Sequence, residues 1–598
     1  MSAYARRPLL AAFVSSCLFA PSTLLANTLE EVTVQAGRVA NSQAATSLAS
    51  IATSLAYDPQ VEIYSRGLAE GQADITVRGS MFESTSVKVG AVVLMDPQTG
   101  HYTANLPISP ELLTFGGVLT GAQNAIEGFN ATVATLRYDL DINEAARRVG
   151  LSAGSDRFNS QSALYSQNLD GHYTIAVAAE RSVGDGTIDN GDHHFQRINL
   201  AVQRDTGESQ SALILASQHQ FFGWPGAYTG FASLPETDHT DTDLMLFNHQ
   251  QGDTRVGGYY RRVVDNYDFD RRTLETGVAG AFEHETASYG LAIEGERDIF
   301  HYRAQWTGDK LVSSTDLTHG NFTSRQYLTG SLGVRQQQAF SDGTLQYDIG
   351  LSSDISNRDS DTLQPYAYFE WQPASSLWAA FVDYARTSQL PGYTALQSGT
   401  SGLFGGNPEL SRERAEQVEL GVKKAYSNGQ LEASIFWRGE QDVADWTYAS
   451  QSPYARQANA MDNDVSGAQL QASLQRDAFW LRVGVTLLNK DFQYATDLVD
   501  ASYYALNYAK VRSTLAAQWQ VSRQVALQLD TEYRKQAPNT LRRSSREAFF
   551  ARLSTVWTPS VQHQFSLLVD NLSDDDFQMY PGTPGMGRSA SLSYDYRW

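Results

Sequence analysis

Short segments in which apolar and polar residues strictly alternate recur along this chain, and it ends on one of them. In ASLSYDYRW, Ala590, Leu592, Tyr594, Tyr596 and Trp598 fall on one side of an extended strand. Ser591, Ser593, Asp595 and Arg597 fall on the other. In QVALQLDTEYRK, Val525, Leu527, Leu529 and Tyr533 oppose Gln528, Asp530, Glu532 and Arg534. In QLEASIFWRG, Leu431, Ala433, Ile435 and Trp437 oppose Glu432, Ser434 and Arg438, and GAQLQASLQ sets Leu470, Ala472 and Leu474 against glutamines. A soluble sandwich also alternates. A wall between lipid and water needs an apolar, aromatic-ended outer face and a charged inner one, and many such segments joined by Gly, Asn and Asp turns point to a barrel.

The rest of the chain agrees with a membrane barrel. Arg6 and Arg7 precede the apolar run LLAAFVSSCLFAPSTLLA, with Ala26 as a small-residue exit, so residues 1–26 read as a secretory signal peptide. VSSC before Cys17 resembles a lipoprotein box, but the apolar run continues past it. After Ala26 no run of about 18 apolar residues offers a transmembrane helix. Cys17 is the only cysteine, so neither disulfides nor thiolate metal sites are expected. The net charge of −21 argues against a nucleic-acid partner. Walker-type phosphate loops and Gly-x-Ser-x-Gly elbows are absent, and no catalytic constellation points to an enzyme.

Residues 27 to about 140 have a different character from the remainder of the chain. They are rich in small residues, with short apolar strands broken by glycine and proline: ADITVRGS, VKVGAVVLM, TFGGVLTG and NATVATLRYDL. The amphipathic strands begin near residue 146. A membrane strand takes roughly 9–11 residues, so this length allows a large barrel with long loops.

At this point the residues resemble the TonB-dependent outer-membrane receptors. Leu29, Glu30, Glu31, Val32, Thr33 and Val34 look like a TonB box, a flexible handle able to add as a strand to a partner's sheet. Asp74–Gly79 resembles the family's strand ending in Arg-Gly, and Val93–His101 resembles a loop of its cobalamin-receptor-like branch. Gly121–Gly128 with Ala131–Leu136 resembles the final hairpin of the plug. Val89-Gly90 replaces the usual Asp-Gly turn, and Thr120-Gly121-Ala122 replaces Arg-Gly-Pro. In the second part, Gly406–Leu410, Glu413, Glu416 and Glu419–Gly421 resemble a loop-and-strand pattern of these receptors. Asp570–Leu572 with Gly587-Arg588 resembles their last hairpin. The aromatic end of the chain is similar to the strand that barrel-assembly machinery recognises, which makes Tyr594, Tyr596 and Trp598 an assembly signal.

The resemblance implies an all-β membrane protein: a 22-stranded antiparallel transmembrane barrel with an N-terminal plug inside. The expected division is signal peptide 1–26, TonB-box segment 27–40, plug 41–145 and barrel 146–598, in the bacterial outer membrane. Expected partners are the TonB-ExbB-ExbD complex, the barrel-assembly machinery, outer-membrane lipid and a small metal–organic ligand. Ligand binding outside would expose the box inside, a reciprocal coupling.

The ligand is expected on the plug apices. Met81, Phe82, His101 and Tyr102 offer flat apolar contact, and Asp96, Gln98 and Thr99 offer polar contact. Trp224 and Tyr228 lie in a segment similar to the cobalamin-like branch. Asp238, Asp241, Asp243, Asp265 and Asp268 offer hard oxygen ligands for calcium. His193, His194 and His239 read as polar strand-end residues. The function expected is active import of a corrinoid, with a ferric siderophore or haem as the alternative within the family. A passive porin is the rival from another class.

Overall fold

The computed structural model describes residues 50–598, apart from 68–71, 144, 274–280, 318–319, 321 and 400–402. The expected signal peptide and TonB box lie outside the described residues.

From Arg147–Gly154 to Ser589–Arg597, 22 strands of eight to 21 residues close into one antiparallel barrel. The last strand pairs with the first, from Ser591 opposite Gly154 to Arg597 opposite Arg148. Turns at one end are as short as two residues, as at Gly252-Asp253 and Asp298-Ile299. At the other end the loops are longer, such as 390–412, 495–508 and 571–588. Short turns mark the periplasmic end and long loops the outer end.

Alternation sorts the side chains. Leu200, Leu215, Met245, Leu291 and Leu332 point outward and stay exposed, each worth about 1.5–3 kcal/mol on transfer from water to hydrocarbon. Phe340, Trp378, Tyr426, Phe479, Trp519 and Trp598 are exposed near the short-turn end, where an aromatic girdle belongs. Tyr596 stacks on Trp598 with centroids 5.7 Å apart.

The plug carries a four-stranded sheet in the order Val92–Leu94, Thr85–Val89, Ala134–Leu140, Leu113–Thr120, and a hairpin of Val61–Ser65 with Ala73–Val77. Residues Gly121–Glu127 form a short helix, so the expected final hairpin is instead strand, helix, strand. Both departures from the family pattern have local reasons. Gly90 opens a two-residue turn at φ +59°, where a Cβ would collide with Asn248, whose Oδ1 accepts from Ala91 N–H. Ala122 donates its N–H to Asp383 Oδ1 at 2.8 Å, a bond that proline lacks.

The inner wall is not uniformly polar. Ala212, Ile214, Leu244 and Leu246 turn inward and join Val87, Val89, Val92 and Leu136 in one core. The plug is therefore glued by apolar contact to one flank. Elsewhere ion pairs anchor it: Lys88–Glu294 at 2.6 Å, Asp58–Arg482 at 3.2 Å and Arg78–Glu419 at 2.8 Å. Beneath the closing strands lies an empty space of about 1780 Å³, counted to its open end. Ser152, Ser160, Gln520, Ser554, Ser566 and Ser593 line it, and Arg148 reaches across to Glu111 of the plug and Asp595 of the last strand.

Candidate functional site

Above the plug, under the outer loops, is a chamber of about 650 Å³ counted to its mouth. Its floor is the plug loop carrying Gln98, Thr99, His101 and Tyr102. Asp96 shapes that loop: its carboxylate accepts from Gln98 N–H at 3.0 Å and faces Arg261 at 3.4 Å. Thr99 caps the turn by accepting from His101 N–H.

His101 connects the chamber to the plug interior. Its Nδ1 lies 2.7 Å from Asp74 Oδ1, and Asp74 also meets Arg66 at 3.1 Å and the Tyr580 hydroxyl. Arg66 lies over the rings of Tyr580 and Tyr228, 4.1 and 4.7 Å from their centroids. Burial pushes the His101 imidazole below its usual range, and the Asp74 carboxylate opposes this. Tyr102 donates to Asp238 at 3.0 Å, and the Tyr228 hydroxyl donates to Asp238 and lies 2.7 Å from the Gln72 amide.

Not every residue expected at the ligand reaches it. Gln98, Thr99, His101, Tyr102 and Tyr228 line the chamber. Phe82 stacks behind His101 at 4.1 Å and meets Tyr504 edge-on at 5.0 Å. Met81 packs with Val443, Met461 and Ala505. Asp96 is occupied by its loop and Arg261, and Trp224 lies behind Tyr228 in a cluster with Phe222 and Tyr267. These four support the wall from behind.

The expected calcium ligands are separated by strand alternation. Asp238 and Asp265 turn inward and are buried, Asp268 is buried at the end of its strand on the opposite register from Asp265, and Asp241 and Asp243 are exposed on the outer face. Asp241 sits against His219 Nδ1 at 2.7 Å, and Asp243 lies 3.6 Å from Arg262. No group of three or more His, Cys, Asp or Glu among the described residues could hold a metal ion. His194 and His239 are outward-facing, and His193 is buried against Ser182 and Phe158.

The remaining lining comes from residues the sequence does not single out as ligand contacts: Asp265, Tyr267, Phe282, His284, Asp316, Phe404, Trp446, Arg456 and Tyr504 among them. Asp265 with Tyr267 and Phe282 with His284 alternate on two paired strands, while Asp316, Phe404, Trp446, Arg456 and Tyr504 come from elements far apart in the sequence. The shared signal is that each aromatic lies at the outer end of a strand or in a long loop.

A lumen filled by a folded plug, with a loop-roofed chamber above it, defines a gated outer-membrane receptor. Residues 114–594 match the family model described as "TonB dependent receptor-like, beta-barrel", and the chain belongs to the TonB-dependent receptor family. It is an outer-membrane transport receptor of the TonB-driven type and not an enzyme. No curated protein matches it in sequence. Among solved structures it is similar to the FrpB iron transporter from Neisseria meningitidis (F3-3 variant), with 14% identity, 95% of this chain and 98% of that one covered, and a TM-score of 0.71. The copper transporter OprC gives 14% identity, 90% and 94% coverage, and 0.68. The siderophore receptor PirA from Acinetobacter baumannii gives 11%, 92% and 96%, and 0.68. At such identities the likeness concerns the fold.

Proposed function

We propose that this receptor imports a scarce metal–organic nutrient bound in the outer chamber, with a corrinoid as the first candidate. The observation that carries this reading is the chamber's lining, which among the described residues has many aromatic faces, two carboxylates and a single guanidinium, Arg456. Arg456 is itself engaged, 4.4 Å over the Tyr503 ring. Such a lining suits a bulky ligand that carries little negative charge. It offers poor compensation to haem propionates or an anionic ferric siderophore. The loop resembling the cobalamin-like branch supplies the chamber floor, which adds support. Size favours a second reading, a metal chelate smaller than a corrinoid, because a corrinoid would fill the chamber with only part of its surface.

The test is uptake of labelled cobalamin by cells expressing the intact chain or one lacking Leu29–Val34. Binding by both with uptake only by the intact chain supports the scheme. Equal uptake by both overturns TonB-driven import. Failure of either to bind cobalamin while a smaller chelate binds replaces the corrinoid by that class.

A further inference from the structure

Two imidazoles line the chamber, and their nitrogens are differently occupied. His101 has both in use: Nδ1 lies 2.7 Å from Asp74 Oδ1, and Nε2 lies 3.3 Å from the Tyr504 hydroxyl. His284 uses one. On strand Ala281–Arg297 it stands opposite Ser314, the last residue of strand Phe300–Ser314, and its Nδ1 lies 2.7 Å from Ser314 Oγ. The residue is only 6% exposed, and its Nε2 makes no hydrogen bond among the described residues.

The other partners of Ser314 fix the direction of that bond. Ser314 Oγ accepts the backbone N–H of Leu317 at 2.7 Å and that of Asp316 at 3.2 Å. A hydroxyl oxygen has two acceptor lone pairs and one hydrogen. Both lone pairs are taken, so the hydrogen goes to His284 Nδ1, which must carry the ring's lone pair. The ring proton is left on Nε2. Were Nδ1 protonated instead, three donors would crowd one oxygen, and its own hydrogen would have no acceptor. The turn Ser314–Leu317 therefore both orients the ring and chooses its tautomer.

We infer that His284 is a specificity-determining donor of the chamber. As a neutral imidazole in the Nε2–H form, it donates to an acceptor atom on the periphery of the bound molecule: a carbonyl, carboxylate or hydroxamate oxygen. It does not ligate the molecule's metal, because an imidazole coordinates through its lone pair, and that lone pair is held by Ser314. Open donors at Arg456 Nε and Thr394 Oγ1 and an open acceptor at Gln98 Oε1 share the lining, so His284 selects for the place of an acceptor and not for charge. The donor role rests on the chamber being the ligand site; the state of the ring does not.

The test uses the purified full chain in bilayers, labelled with nitrogen-15 at histidine, with the His284 signals assigned by their loss in His284→Gln. Nitrogen NMR near neutral pH is expected to show a bare Nδ1 and a protonated Nε2, and Ser314→Ala is expected to lose that preference. A protonated Nδ1 with a bare Nε2, or a doubly protonated ring, would overturn the inference. Calorimetry then compares the parent, His284→Gln and His284→Leu with two probes, cyanocobalamin and ferrioxamine B. Glutamine keeps an N–H near the position of Nε2 and should hold affinity within about threefold, whereas leucine should weaken it roughly tenfold or more. Both variants equal to the parent, or both equally weakened, would overturn the donor role. If the parent binds neither probe, the corrinoid and hydroxamate readings fall, and the nitrogen spectrum alone decides whether His284 is a donor.

Discussion

Two sequence patterns far apart in the chain meet in one ion pair, and that pair gives the sharpest test of how the plug is held. Arg78, at the end of the Asp74–Gly79 strand, donates to both oxygens of Glu419 at 2.8 and 2.9 Å. Their side chains are 0% and 2% exposed, and the guanidinium lies 4.5 Å from the Phe436 ring. Arg438 donates to the Arg78 carbonyl at 3.3 Å, so the wall grips backbone and side chain together. Glu419→Gln leaves a buried guanidinium without its counter-charge, a loss of about 3–5 kcal/mol when one partner of such a pair is removed. Replacing both, as Arg78→Met with Glu419→Met, leaves no buried charge and is expected to cost much less than the sum of the singles. The assay is amide exchange across Ala73–Val77 in detergent-solubilised protein. Glu419→Gln should speed exchange there by roughly a hundredfold or more, at about 1.4 kcal/mol per tenfold. Exchange within a factor of about three of the parent, or a double variant costing the full sum of the singles, would refute the reasoning.

Other sites give further expected outcomes. Burial pushes the Glu83 carboxyl up to about 7 although it accepts from Gly100 N–H, so folding is favoured at low pH, and about 3 kcal/mol is lost as pH rises from roughly 4.5 to 7. Melting of the plug across that range should show the fall, and Glu83→Gln should flatten it; a slope that persists in the variant argues against this assignment. Trp446→Ala removes a chamber wall and should weaken ligand binding roughly tenfold, with the barrel's heat-modifiable migration on gels unchanged. Asp241→Asn with Asp243→Asn should leave a calcium titration of the parent unaltered, since both carboxylates face outward. Trp598→Ala should lower the amount of barrel reaching the outer membrane more than it lowers the urea midpoint of the protein that arrives.

The barrel was legible because its cause is local. Alternation along Val525–Arg534 or Leu431–Arg438 is dictated by a wall with lipid on one side, and each strand carries that pattern alone. The chamber was only half legible. The floor, Gln98–Tyr102, lies within one contiguous loop. The walls come from Tyr267 and Phe282, which meet across one strand pair, and from Phe404, Trp446 and Tyr504, which join them only when the barrel closes. Phe82 and Asp96 show the opposite difficulty, since composition cannot tell a residue that touches a ligand from one that braces the residue that does. The aspartates failed as a set for a plain geometric reason. Positions 238 and 241 differ by an odd number, and a strand sends such residues to opposite faces. The inward turn of Ala212 and Ile214 was hidden because both faces of that strand are apolar, one toward lipid and one toward the plug core.

The closing strands also bear on the order in which this molecule can be built. Strand Ser589–Arg597 zips onto Arg147–Gly154 through its backbone ladder, a Ser152–Ser593 hydroxyl bond of 2.8 Å and the Arg148–Asp595 pair. Apart from the Arg148–Glu111 pair to the plug, the contacts that join the two strands lie within the wall, and the space beneath them is open. Circularisation therefore needs no help from the plug. A chain without residues 41–145 should still insert and close, and the plug can dock into a finished cylinder or be enclosed by a closing one with the same final ladder.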